Sequence, residues 1–444
     1  MASRQKIFGV ISTFLLSMAA SGEAWAATYY VATNGSDSSP GNETYPFKTI
    51  AYAVGKMVAG DTTYVRGGVY SKPPAFHRSG TESAPIKLLN APGESPVIDC
   101  GGVGTEQLVI SNKNGVGHIT IEGFEIRNCY HGMHLHNGYN LTISRNWIHD
   151  NKAQGILGNG KNILVDRNVI SHNGSFAACA AGKLFTNGGN TTHGTICNKH
   201  HGIYTTGPNW VITNNLIYDN LAYGISVSAY KHCPQGGCYG NKVYADASYG
   251  GADNWLIANN VIAYQHYRGA IVLWMGGTTN SKIINNIFYE NSQKYPSQNG
   301  IEFSASPGGG HIISNNICYA TAPGGTTCIE PGEESKYTAS GNIVNTVNPG
   351  FVSAGPTLSG VPNFKLRAGS PAIDKGQSLP QVTWDHAGGK RPFGAAFDIG
   401  AYEFGSLPDS GSPPPNPTGG GGSFTPGAPV FLSPTGEICP SPYL

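Results

Sequence analysis

His201, Tyr204 and Arg268, with Lys199 just upstream, are residue types that move protons or hold carboxylates. Removing a proton next to a carboxylate takes a base, a cation on the carboxylate and an acid for the leaving oxygen. Arg268 suits the cation, because a planar guanidinium fork matches a carboxylate. His201 or Lys199 suits the base. Tyr204 suits the acid, or the base if ionised. Each also has a plainer role. His201 stands before a glycine and could bond a turn carbonyl, Tyr204 favours a strand, and Lys199 and Arg268 could be solvated surface cations.

A second set could line a binding surface. His131, His134 and His136 lie together in HGMHLH, Trp274 ends GAIVLW, and Glu302 sits in GIEFS. An exposed Trp274 would stack on a sugar ring. Glu302 and Glu330 could instead form the carboxylate pair of a glycoside hydrolase. They lie toward the C-terminal end of the chain, away from the residues above. His134 and His136 could bind a metal, but no metal site is expected from them.

What would bring such distant residues together is a repeat. Segments such as NLTISRNWIHDN (140–151), NILVDRNVISHN (162–173), NWVITNNLIYDN (209–220) and NWLIANNVIAYQ (254–265) recur, each followed by a glycine and a short apolar strand. The glycines are Gly132, Gly155, Gly202, Gly224, Gly269 and Gly300. The period is near 22 residues, with two longer steps that carry insertions at about 175–199 and 231–253. Short alternating β-runs at this period predict a stacked solenoid, in which equivalent positions form columns. One outward column holds His134, Tyr204, Ser226 and Glu302; the next holds His136, Thr206, Ser228 and Ser304. For GAIVLW, either Ile271 and Leu273 or Val272 and Trp274 face out, and the second is preferred. The residues before each glycine form a further column: His131, Gln154, His201, Tyr223, Arg268 and Asn299. The insertions would wall a groove around His201, Tyr204 and Arg268.

The remaining chain is read more coarsely. MASRQK, an apolar run Ile7–Ala20 and Ala24-Trp25-Ala26 form a signal peptide over 1–26, so the protein is expected to be secreted, extracellular or periplasmic. The 27 basic and 26 acidic residues leave a net charge of +1, which argues against nucleic acid. No later run is long enough to span a membrane. Nine cysteines follow the signal region. Export permits disulfides, and spacing points to Cys179–Cys197 and Cys233–Cys238 across the insertions. Cys100–Cys129 and Cys318–Cys328 could staple coils. Residues 405–444 open on a Pro/Gly/Ser tract and read as a flexible tail.

YYVATNGSD, PFKTIAYAV and GDTTYVRGGVY, within residues 28–70, resemble the N-terminal cap of right-handed parallel β-helix proteins. These include polysaccharide lyases such as family-nine pectate lyases and the chondroitinase B-like and alginate lyase groups. GSPAIDKG (369–376) and FDIGAYEF (397–404) are similar to a terminal segment common in exported β-helix proteins. The resemblance implies an all-β right-handed parallel β-helix over 28–404, with a capping helix in 28–70, coils over 86–344 and a C-terminal cap over 345–404. It implies a monomeric lyase acting on an acidic polysaccharide, with Lys, Arg, His or Tyr in the roles given above. A uronate epimerase, a hydrolase and a non-catalytic glycan-binding β-helix remain alternatives on the same scaffold. Such lyases often use calcium. The family-nine aspartate cluster is not evident, and Asp246 and Asp253 are the acidic candidates for Ca2+ near the groove.

Overall fold

The computed structural model describes residues 26–407, apart from 103, 105, 187–191, 229–250, 275–276, 295–298, 305–307, 320–326 and 345–346. The signal region, most of the second insertion with Cys233, Cys238 and Asp246, and the tail from 408 lie outside the described residues.

The chain winds as a parallel β-helix. A 16-stranded sheet and a 10-stranded sheet run along it, and strands of successive coils pair in parallel. The larger sheet has two faces. In the early coils single bent strands, Met133–Ser144 and Ile156–Asp166, serve both. From residue 203 the faces separate into strands such as Ile203–Thr206 and Trp210–Thr213. The 10-stranded sheet forms the third face, with register Trp147, Val169, Leu216, Val261, Ile287, Ile317.

Side-chain alternation explains the core. Along Ile203–Thr206, Ile203 faces inward and is buried in a cluster that includes Ile156, Ile225, Ile271 and Ile301. Asparagines satisfy the turns. In the ladder Asn146, Asn168, Asn215, Asn260, Asn286, Asn316 and Asn342, each member after Asn146 accepts from the previous member's backbone N–H and side-chain amide. Each also donates to a carbonyl in an adjacent coil, as Asn215 does to Val165 O at 2.8 Å. A second ladder runs Asn151, Asn173, Asn220, Gln265, Asn291. Buried turns thus keep their polar groups paired.

At the N-terminus, helix α1 (Ile50–Lys56) starts at Thr49, whose Oγ1 accepts from Tyr52 N at 3.2 Å. Ile50, Ala53 and Val54 turn onto the core and cover the solenoid end. Val58 lies past the helix and is 48% exposed. The cap also contributes strands, since Thr28–Val31 and Thr62–Val65 already pair in the sheet.

The segment 345–404, expected to close the far end, instead runs back along the outside in its described residues, from 347 on. Phe351, Phe364, Leu366, Ala372 and Ile399 pack with Leu216, Val261, Ile287 and Ile317 over the third face. His386 Nδ1 bonds Asn214 O at 2.8 Å, and Asn259 donates to Asp398 O. The third face carries apolar residues outward as well as inward, and this strap removes them from water.

Disulfides Cys100–Cys129, Cys179–Cys197 and Cys318–Cys328 are formed. Among the described residues no helix is long and apolar enough to cross a membrane.

Candidate active site

The first face bears the outward column. Register runs His134, Leu157, Tyr204, Ser226, Val272, Glu302, so residues far apart in sequence occupy one row of six coils. The neighbouring row includes Ser228, Trp274 and Ser304. Ile271 and Leu273 are fully buried, so Val272 and Trp274 point outward as preferred from sequence.

The column beside it departs from expectation at one coil. Ile225 pairs with Ile271, which aligns Gly224 with Ala270 and Tyr223 with Gly269. Ala270, not Gly269, holds the glycine position, and Arg268 stands one residue outside the column. The slip creates a gap. Gly269 has no side chain where the coils on either side present Tyr223 and Asn299. Through that gap the Tyr223 hydroxyl donates to Glu302 Oε2, and Asn299 N donates to Glu302 Oε1 at 3.2 Å. A Cβ on Gly269 would lie 2.0 Å from Asn299 O and 3.4 Å from Glu302 Oε1.

Around this pair the expected residues gather. His201 lies 5.1 Å from the Tyr204 ring and 5.6 Å from the Tyr223 ring. The Arg268 guanidinium stands over the Tyr223 ring at 5.8 Å. Lys199 follows the first insertion, and its carbonyl accepts from Gln154 Nε2 at 2.9 Å. Glu302, expected to lie apart from this group, belongs to it. Tyr223 was legible as a column member; its contact with Glu302 was not.

Histidine roles follow from their backbone partners. His201 Nδ1 accepts from Tyr223 N at 3.1 Å, and His131 Nδ1 accepts from Gln154 N at 3.3 Å. A neutral ring that accepts at Nδ1 carries its proton on Nε2. Burial, then the charges of His200, Lys199 and Arg268, holds His201 well below the usual imidazole range. His201 is therefore a neutral Nε2–H donor. Burial and then Arg268 lower the Lys199 ammonium. Burial raises Glu302 to about 7, against the opposing effects of the Tyr223 hydrogen bond and Arg268. Burial and then Glu302 push Tyr223 well above the phenol range.

His131, His134 and His136 cluster toward the N-terminal side. His136 Nε2 and Gln107 Nε2 lie 3.2 and 3.1 Å from His134 Nδ1. Burial and then His136 lower His134 to about 3. Asp253 accepts from the Thr279 hydroxyl in the turn between the first two faces. Among the described residues no group of three or more His, Cys, Asp or Glu side chains is arranged to hold a metal ion. Asp246, the other acidic candidate for Ca2+, lies outside the described residues.

Residues 29–221 match the family model of the Pel9A-like right-handed β-helix region. The resemblance read from the N-terminal motifs thus holds over that span. Pectate lyase PEL9 of Emericella nidulans is 42% identical over 76 residues, 17% of this chain and 18% of its own. The uncharacterized protein YwoF of Bacillus subtilis is 37% identical over 90 residues, 20% of this chain and 19% of its own. The chain thus spans about a fifth of the length of these curated relatives. The crystal structure of pectate lyase Pel9A aligns with 85% of this chain and 96% of that one, at 17% identity and TM-score 0.47. A rhamnogalacturonan lyase aligns with 77% and 96%, at 17% identity and TM-score 0.47. The family match and the parallel pairing of successive coils show a right-handed parallel β-helix.

Proposed function

We propose that the protein is an exported lyase that cleaves a uronic-acid polysaccharide by β-elimination. The observation that carries this is the gathering of Lys199, His201, Tyr204 and Arg268 beside one strand row, with burial and then Arg268 lowering Lys199 from its ordinary value. The neutral Lys199 amine takes the proton α to the carboxylate. Arg268 and the His201 Nε2–H meet the carboxylate as negative charge builds on it. The bond to the β oxygen breaks, and the Tyr204 hydroxyl protonates the leaving oxygen. A carbon–carbon double bond remains, conjugated with the carboxylate. Between the two candidate bases, the bonded Nδ1 of His201 favours Lys199. The signal region, the three disulfides and the family match support export.

One observation favours a second reading. Glu302, raised to about 7, aligns with Glu330 on the next coil, since Ile301 bridges Ile329. That pair could hydrolyse a glycoside with Glu302 as acid. The test is a screen of pectate, alginate, chondroitin and rhamnogalacturonan, with and without calcium, read by the ultraviolet absorbance of an unsaturated uronate. New absorbance supports the lyase. New reducing ends without it support the hydrolase and overturn elimination. Binding without either product supports a glycan-binding protein.

A further inference from the structure

On the turn side of the solenoid lies a second polar cluster that this chemistry does not use. Asp219 is buried and accepts from both His172 Nδ1 and His266 Nε2, each at 2.7 Å. The three residues come from three successive coils. Burial opposes the Asp219 charge, but its two histidine partners prevail and lower it, and His172 is raised by the same bond.

Phe176 of helix α2 (Phe176–Ala180), the first turn of the first insertion, stacks on His172 at 4.3 Å and meets His266 edge-on at 4.9 Å. The helix is tied back by Cys179–Cys197, and this buried disulfide packs on Leu221, with Ile196 and Tyr267 beside it. The insertion ends at Lys199. His266 and Tyr267 immediately precede Arg268. One carboxylate is thus bonded to the coil that leads to Arg268, and through Phe176 it seats the wall that leads to Lys199.

We propose that Asp219 is a positioning residue: with His172, His266 and Phe176 it fixes helix α2, the Cys179–Cys197 end of the first insertion and the segment 266–268, setting Lys199 against Arg268. Neither the wall's seat nor the segment's depends on substrate. The consequence for turnover rests on the lyase reading; the consequence for the wall does not.

The experiment compares wild type with Asp219→Ala, Asp219→Asn and Phe176→Ala in the full chain. Mild reductant and a thiol label are applied under native conditions, and labelling of Cys179 and Cys197 is followed by peptide mapping. Cys100–Cys129, also buried and set in the coils that precede the insertion, serves as the internal reference. In Asp219→Ala and Phe176→Ala, Cys179–Cys197 should open about tenfold faster than in wild type, with Cys100–Cys129 unchanged, as expected of local opening. Asp219→Asn should restore protection, since an amide can accept from one imidazole and donate to the other. Where lyase activity is present, both disrupting variants should lose about tenfold in kcat with a smaller change in KM. Phe176→Ala keeps the question answerable if Asp219→Ala fails to fold. Unchanged protection in Phe176→Ala, equal loosening of both disulfides, or a loosened wall with full kcat would each overturn the proposal. If wild type forms no unsaturated product, the lyase reading alone fails, and thiol exposure still decides whether Asp219 holds the wall.

Discussion

Arg268→Ala separates the elimination chemistry from mere groove binding. The guanidinium has two effects in the site. On the proposed function it is the donor fork for the substrate carboxylate, and its charge lowers Lys199 and His201 while opposing the rise in Glu302. Loss of a preorganised donor at the developing charge costs about 3 kcal/mol, or roughly two orders of magnitude in kcat/KM. Loss of the positive charge acts separately. Without it the Lys199 pKa rises, so a smaller fraction of the amine is neutral at any given pH. The limb of the pH–rate profile that reports deprotonation of the base must then move to higher pH. Arg268→Lys distinguishes the two effects, because it keeps the charge and loses the fork. It should leave the limb near its wild-type position while still lowering the rate. The assay is initial-rate formation of the unsaturated product across pH, with circular dichroism confirming the fold. Full activity in Arg268→Ala would refute the groove assignment. A slow enzyme with an unmoved limb would refute Lys199 as the base while sparing Arg268.

Four further outcomes can be measured without knowing the substrate or beside it. Asn215→Ala removes a buried amide that bridges two coils and strands the Asn168 N–H, so a loss of about 3–5 kcal/mol is expected, against about 1 kcal/mol for the partly exposed ladder end in Asn342→Ala, read from denaturation midpoints. Nitrogen-15 NMR should find the neutral Nε2–H form at His201 and His131 well below pH 6.5; a protonated His201 at pH 6 would contradict the bonding at Nδ1. Stability should fall as pH drops below 6.5, because unfolded histidines gain protons there while His131, His200, His201 and His386, all lowered by burial, do not; a flat midpoint from pH 7 to 5 would count against this. Gly269→Ala should destabilise by about 1–3 kcal/mol through overpacking and should lower activity, whereas Gly224→Ala, at the position Ala270 already fills in the next coil, should cost less of each.

Much of this arrangement was legible in the sequence because two simple periods govern it. Alternation along a strand gives the facing of Tyr204 or Glu302 from local residues alone, and the coil repeat places His134, Tyr204, Ser226 and Glu302 in one row. The same logic resolved Trp274, since only one phase of GAIVLW buries Ile271 and Leu273. What escaped involved contacts with no period. Residues 347–407 carry no repeat, so nothing local showed that they lie along the third face instead of across the end. The imidazole tautomers depend on backbone N–H groups one coil away. The Asp219 cluster joins an insertion to three coils, and insertions are the part of a solenoid that the repeat does not describe.

The slip at Gly269 shows how an imperfection in a repeat can build a site. A perfect repeat would place a side chain in every coil of the column, each set against the next, as the tilted His201 and Tyr223 rings are. At residues 268–271 the chain has a glycine in the column and an alanine in the glycine row. Two results follow from that single shift. The vacant position lets Tyr223 reach Glu302 across an intervening coil and keeps a carboxyl group buried near neutrality. Arg268, displaced from the column, sets its guanidinium over the Tyr223 ring instead of lying within the row. A column of uniform side chains would offer a polysaccharide the same contact at each coil. In this chain the column varies from coil to coil, and the break at Gly269 joins it to the strand row through Tyr223 and Glu302.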